Sequence, residues 1–366
     1  IDSDRSSGEL TDPELTHLYH TFQLMMEDVK EGRFSPAVVY DGDTPVEYAS
    51  VPLTCYEGKG YRRETFESIS TLLENYYASR DTITRIRQKS SDLRRIVQTA
   101  LERSCKKYDL QLKQLKDTEK REKYRIYGEL LNTYGYELKG GEKSFNCINY
   151  YDNEEITIPL DPQLTARENA QKHFDKYNKL KRTYEALSQL TMETKAEVDH
   201  LESVSSALDI ALEENDLVQI KEELMEFGYV KKRRANEKRP KITSKPFHYI
   251  SSDGYDIFVG KNNYQNEELT FKVASGNDWW FHAKGIPGSH AIVKSNGQAD
   301  LPDRVFEEAG ALAAYYSKGR ENDKVEIDYI QKKNIKKVAG AAPGFVIYHT
   351  NYSLVASPRC DLKEVK

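Results

Sequence analysis

Two stretches of this chain carry apolar residues at alternating three- and four-residue spacing with almost no helix breaker, and they limit the fold more than any other feature. From about Ser79 to Thr133 there is no proline and a single glycine, Gly128, while Ile83, Ile86, Leu93, Val97, Ala100, Tyr108, Leu112 and Leu115 follow a heptad-like pattern. From about Pro162 to Phe227 the spacing continues through Tyr177, Leu180, Tyr184, Leu187, Thr191, Thr194, Val198, Leu201, Ser205, Leu208 and Leu212. Each stretch predicts one long helix, and together they predict a coiled coil. The polar Thr191, Thr194 and Ser205 at three seam positions weaken its core, which reads as register control or a bend.

Between the stretches lie Gly135, Gly140 and Gly141, then strand-like CINYY (Cys147 to Tyr151), a turn at Asp152-Asn153, and EEITIPL (Glu154 to Leu160). An antiparallel helical hairpin over 79–235, with a small β tip at about 135–161, is the economical arrangement. At about 1.5 Å per residue, arms of some 50 residues would reach roughly 75 Å, which suits a spacer or a probe. A hairpin that pairs its own arms also predicts a monomer.

Upstream, residues 1–78 predict a small mixed region: a helix over Pro13 to Lys30, then strands at AVVY, VEYASV and Leu53 to Tyr56, with a turn at Asp41-Gly42-Asp43. Opening at Ile1 without methionine, this region is expected to be the remnant of a longer domain. A hydrophobic fraction of 38% against 31% charged residues is lean for one large core, in keeping with an elongated part. The net charge of -5 leaves 54 basic residues to be segregated onto particular faces. Four scattered cysteines form no C-x-x-C pair, and no apolar run reaches the 18 or so residues of a membrane helix; a cytoplasmic protein with no membrane contact is the expectation.

A basic connector follows Gly228. Lys231, Lys232, Arg233 and Arg234, with Lys238, Arg239 and Lys241, place seven cations within eleven residues, either as an inert linker or as phosphate contacts. Pro240 and Pro246 keep the linker at 236–246 from continuing as helix.

From Phe247 the pattern changes to strands and tight turns: FHYI, YDIFVG, LTFKVA, WWFHA, HAIVKS, KVEIDYI, GFVIYH and YSLVAS, interrupted by one helix over Pro302 to Ser317. The domain at 247–358 is therefore expected to be α+β. Its densest feature is NDWWFHAKGIPGSH (Asn277 to His290), which holds both tryptophans of the chain. Strand alternation puts Trp279 and Phe281 on one face and Trp280 and His282 on the other, so one face can be core while the other meets a partner.

An exposed aromatic ring stacks on an unpaired base, and His282, His290 and Lys284 are able to donate to phosphate or ribose oxygens. The Gly285-Ile286-Pro287-Gly288 turn, with Ser289 after it, would let backbone N–H groups approach the same anion. The alternative on composition is that both tryptophans are core and the histidines satisfy local hydrogen bonds. Asp278, His282 and Ser289 invite a hydrolase reading, but no G-x-S-x-G elbow surrounds them, and two histidines without a third ligand make a poor metal site. No catalytic constellation, metal site or cofactor pattern is read. Lys332, Lys333, Lys336 and Lys337 form a second basic set, either a phosphate footprint or a solvated turn.

LTFKVA, NDWWFHAKGIPGSHAIVKS, ALAAYYSKGR, KVEIDYI and KKVAGAAPGFVIY together resemble, in order and spacing, the RNA-binding C-terminal domain of the NFACT family. The preceding hairpin and the strand-rich residues 1–60 are similar to that family's order of parts. The resemblance implies a ribosome-associated quality control factor that binds the stalled large ribosomal subunit with its rRNA and peptidyl-tRNA. It also implies recruitment of tRNA (tRNA-Ala in bacteria) for template-free C-terminal alanine tailing, with the ribosome rather than the protein making the bonds. An older family name implies a rival, a fibronectin-binding surface adhesin. The expected RNA-facing residues are Asp278, Trp279, Trp280, His282, Lys284, Pro287, Gly288, Ser289, His290, Lys332, Lys333, Lys336 and Lys337, with Trp280 and His282 foremost.

Overall fold

The computed structural model describes residues 10–41, 44–58, 60–233, 241–298 and 300–365, leaving the side chains of residues 44, 79, 82 and 83 aside. The turn at Gly42-Asp43 and the cations Arg234, Lys238 and Arg239 lie outside the described residues. The chain divides into two compact units, one formed by residues up to 91 with 212–214, the other by 92–211 with 215–366.

In the first unit, helix α1 (Asp12–Lys30) starts where Glu14 accepts the backbone N–H of Thr11 at 2.8 Å, with Pro13 in the first turn. A three-stranded antiparallel sheet follows, with β1 (Ala37–Asp41) between β2 (Thr44–Ala49) and β3 (Arg62–Thr65). Val38 and Tyr40 pack on Leu72 and Tyr76 from the start of helix α2 (Ile69–Thr118). Thr54–Tyr56 is a short 3-10 turn rather than the expected strand. β3 went unanticipated because Arg62, Arg63 and Glu64 leave it no apolar face.

In the second unit, α2 does not run on to Thr133. It ends at Thr118, and α3 (Arg121–Tyr134) begins after a two-residue turn. Strands β4 (Ser144–Ile148) and β5 (Glu155–Pro159) pair in register Cys147↔Ile156, forming the tip. Helix α4 (Ala166–Ile210) opens with a full capping box: Thr165 Oγ1 accepts the Glu168 N–H, and the Glu168 carboxylate accepts the Thr165 N–H at 2.7 Å. The second predicted helix is likewise two, because α4 stops at Ile210 and α5 (Glu214–Glu226) resumes.

The arms are antiparallel, since partner numbers fall on one side as they rise on the other. Arg94 reaches Leu208 and Asp209, Arg121 stacks 3.9 Å over the Tyr184 ring, Gly128 faces Phe174, and Gly135 faces Ala166. Gly128 is glycine for a packing reason, because a Cβ there would sit 2.8 Å from the Phe174 ring. The seam is apolar at its ends and polar between them. Leu201, Val204 and Leu208 are buried near one end, and Leu130, Leu131, Phe145 and Ile158 near the tip, while Ser104, Gln111, Thr118, Thr191 and Thr194 fill the middle. Leu112 was assigned to the seam by spacing but is exposed; Gln111 takes the buried position.

Residues 247–356 form a six-stranded antiparallel sheet in the order β13-β10-β8-β9-β7-β6. The strands are β6 (Phe247–Ile250), β7 (Asp256–Val259), β8 (Trp279–Ala283), β9 (Ala291–Val293), β10 (Val325–Gln331) and β13 (Tyr352–Ala356). A two-stranded ribbon, β11 (Lys336–Lys337) with β12 (Val346–Ile347), lies between the last two in sequence. LTFKVA is not a strand: helix α6 (Asn263–Glu268) continues into a π-type turn at Leu269–Val273. Helix α7 (Asp303–Tyr315) covers one face, burying Val305, Ala309, Leu312 and Ala313 against Phe281, Ala283 and Ile327. On the other face, Leu269, Ala274 and Ile335 close over Trp280, Ile292 and Ile330. No helix among the described residues is long and apolar enough to cross a membrane.

Candidate nucleic-acid interface

β8 is an interior strand of a sheet covered on both sides, and this decides the fate of the tryptophan segment. The alternation is as expected: Trp279 and Phe281 face α7, and Trp280 and His282 face away. The outward orientation expected for Trp280 is corrected, because that second face is also core, and His282 is half-buried there. Trp280 is 1% exposed, in edge contact with His290 at 5.0 Å, stacked with His282 at 5.6 Å and tilted against Tyr348 at 5.3 Å. Its indole N–H finds no acceptor among the described residues, so ring packing holds it.

The two histidines serve the interior. The His290 backbone N–H donates to Asn266 Oδ1 at 3.0 Å, and its ring Nδ1 lies 2.8 Å from Thr270 Oγ1. Burial and the neighbouring His282 push its pKa well below the usual imidazole value. His282 keeps some surface, but the crowding of its ring lowers its pKa to about 4 against a bond with Gly288 and the pull of Asp328. Both are therefore neutral at pH 7 and supply no cation to a phosphate.

Asp278 is a clasp between loops. Burial raises its pKa, but Lys294, the N–H and hydroxyl of Ser275, and those of Ser295 all donate to its carboxylate and hold it below the usual range. Ser289 Oγ donates to the Gly260 carbonyl, and its N–H to Tyr316. Asp278, His282 and Ser289 thus point into separate bonds and form no relay. The Pro287-Gly288-Ser289 turn meets 316–318, where Pro287 O accepts the Lys318 N–H, and a Cβ on Gly288 would sit 2.9 Å from Ser317 Cβ. Lys284 is exposed and paired with Glu326.

The second basic set is better placed. Lys332 N–H donates to Asp278 O and Lys333 N–H to Gly276 O, which brings these lysines beside the start of β8. Lys333 and Lys336 are exposed and Lys332 is half-buried; none has a carboxylate partner among the described residues. Lys337 is exposed too but pairs with Glu267 at 2.6 Å. In the connector, Lys231 and Lys232 are exposed, whereas Arg233 turns inward to Glu222. The structure thus unites Trp279 with Lys332 and Lys333, and separates them from Lys284.

Sequence reasoning missed a buried polar joint between α5 and α6. Glu223 Oε1 accepts from Asn263 at 2.7 Å and lies 2.8 Å from His200 Nε2. Gln219 accepts from Asn262 and Gln265, each at 2.8 Å, and Asp216 accepts from Ser244 at 2.6 Å beside Lys261. The run KNNYQN was the available signal, an amide-rich segment too polar to be an ordinary core helix.

Comparison with known proteins fits this architecture. Residues 1–243 match the family described as NFACT N-terminal and middle domains, and residues 245–349 match the NFACT protein RNA binding domain. A Streptococcus suis protein named Rqc2 homolog RqcH is 42% identical over 326 residues, 88% of this chain and 57% of that protein. The Bacillus subtilis protein of the same name is 35% identical over 341 residues, 92% of this chain and 58% of its own. The chain thus spans little more than half the length of these curated relatives. A solved structure, the C-terminal part of the fibronectin/fibrinogen-binding protein from Streptococcus suis, shares 37% identity with a TM-score of 0.58, covering 76% of this chain and 97% of that one. With matches that run through both units and meet at the connector before β6, the chain belongs to the NFACT family.

Proposed function

We propose that this chain is the ribosome- and RNA-binding part of a ribosome-associated quality control factor. The observation that carries the reading is the match of residues 245–349 to an RNA binding domain, on a chain related over most of its length to proteins named RqcH. Lys332 and Lys333, beside the start of β8 and without a carboxylate partner among the described residues, support it chemically. In this reading the protein engages a stalled large subunit, its rRNA and peptidyl-tRNA, and helps position tRNA, including tRNA-Ala, for template-free alanine tailing. It acts in the cytoplasm as a monomeric positioning factor, not as a catalyst of bond formation.

Binding of the full chain to tRNA, followed across a salt series, tests the reading. Three phosphate contacts from Lys332, Lys333 and Lys336 predict a log–log slope of about -2 or steeper, and co-sedimentation with isolated large subunits should fall with salt as well. A flat response, or no binding to either, overturns it. The name of the solved relative supplies the second reading, binding of fibronectin. Salt-insensitive capture of this chain by immobilised fibronectin, without RNA binding, would favour that one.

A further inference from the structure

Three aromatic rings stand directly opposite one another on adjacent strands of the C-terminal sheet. Register pairs Phe281 of β8 with Tyr329 of β10, and Tyr329 with Tyr352 of β13. Phe281 and Tyr329 lie 5.5 Å apart with planes inclined by 16°, and Tyr329 and Tyr352 lie 5.5 Å apart at 26°. Exposure rises along the row: Phe281 is fully buried, Tyr329 half-buried, and Tyr352 61% exposed on the edge strand. The row is a ring stack whose last member has no ring beyond it among the described residues. Trp279 flanks it, 5.8 Å from Tyr329 and 6.3 Å from Tyr352.

The charges beside this row have one sign on one side. Lys332 and Lys333 follow β10 directly, at the end of the sheet where Trp279 begins β8 and Tyr352 begins β13. On the α7 side, Asp303 is close enough to help raise the Tyr329 hydroxyl pKa, behind burial and the neighbouring Tyr352. A polyanion passing the row is therefore drawn to the lysine side.

We infer that the Phe281–Tyr329–Tyr352 row is a stacking platform for an unpaired base of a bound RNA strand, whose phosphates pass Lys332 and Lys333. The inference rests on the RNA-binding reading above and assigns it a site. An outer tyrosine held by two rings behind it offers a preformed flat surface, so stacking there orders little on the protein side. A base locked in a duplex cannot reach it.

The test uses the full chain, a fluorescent single-stranded ten-nucleotide oligoadenylate, its abasic counterpart and a duplex of equal length. Tyr352→Ala should weaken oligoadenylate binding by about fivefold or more, the low end of base–aromatic stacking. Tyr352→Phe should stay within about twofold of wild type. The salt slope should not move in either, because no phosphate contact is lost, and affinity for the abasic strand and the duplex should be unchanged. Lys332→Ala with Lys333→Ala should instead flatten the slope by about 1.4 on single strands. Undiminished binding by Tyr352→Ala, or equal losses on abasic and normal strands, overturns the platform while leaving RNA binding standing. Failure of the wild type to bind any of these RNAs overturns the RNA reading and the platform together.

Discussion

Acidification isolates the contribution of His282 to stability. Its pKa is lowered from an ordinary 6.5 to about 4 in the folded chain. Between those values the unfolded chain takes up a proton that the folded chain refuses, so stability is complete above 6.5, falls as the pH drops, and levels off below 4. At roughly 1.4 kcal/mol per pH decade, this amounts to about 2 kcal/mol at pH 5 and about 3 kcal/mol at pH 4. The figure is a ceiling, because the ring retains some exposed surface. His290, also lowered, acts in the same direction. Asp278 has the opposite form: its lowered pKa contributes stability above its ordinary 3.8 that is lost only as pH falls through its folded value, below the histidine window. Urea unfolding of wild type and His282→Gln at pH 7, 6, 5.5 and 5 reads the effect. Wild type should lose at least 1 kcal/mol more than the variant between pH 7 and 5, on the order set by this linkage. Parallel curves for the two proteins refute the assignment of a neutral, buried imidazole at this position.

Three further substitutions follow from the same packing. Trp280→Ala removes the largest fully buried side chain and should lower stability by about 3 to 5 kcal/mol, read from the urea midpoint; a loss under about 1 kcal/mol would mean the ring is not core. Asp278→Ala leaves the Lys294 ammonium only the Val273 carbonyl and strands the Ser275 and Ser295 N–H groups, with an expected loss of about 3 kcal/mol or more that Asp278→Asn only partly recovers in thermal melts. Thr165→Ala removes half of the capping box and should reduce stability by about 1 kcal/mol, accompanied by faster amide exchange in the first turn of α4.

Much of this architecture was legible in the residues, and the misses share a cause. The hairpin, its β tip and most strands of the C-terminal sheet follow from local periodicity, which the chain obeys. The pleat of β8 was legible too, since Trp279 and Trp280 do take opposite faces. What periodicity cannot report is how many layers cover a sheet. Leu269, Ala274 and Ile335 come from segments far apart in sequence, and only their convergence turns Trp280 from a candidate contact into core and leaves His282 half-buried. LTFKVA has strand-like composition, but its backbone is committed by Asn262, which caps α6 by accepting the Gln265 N–H. The turn at residues 119–120 carries no glycine or proline, so nothing local announces it. Of the expected RNA-facing lysines, Lys332, Lys333 and Lys336 have no carboxylate partner among the described residues, unlike the exposed Lys284 and Lys337, while Tyr329 and Tyr352 drew no notice because their alignment depends on register between strands.

The polar middle of the helical arm has a mechanical meaning. Levels built on Ser104, Gln111, Thr118, Thr191 and Thr194 bury few methyl groups, and neither Gln111 Oε1 nor Thr194 Oγ1 has a bond partner among the described residues. Separating the helices there exposes little hydrocarbon and lets those oxygens meet water, whereas parting Leu201 and Leu208, or Leu130 and Ile158, forfeits full apolar contact. Thermal opening should therefore begin in the middle of the arm and leave both ends clamped, so that the arm yields like a beam with a compliant centre instead of fraying from its tip.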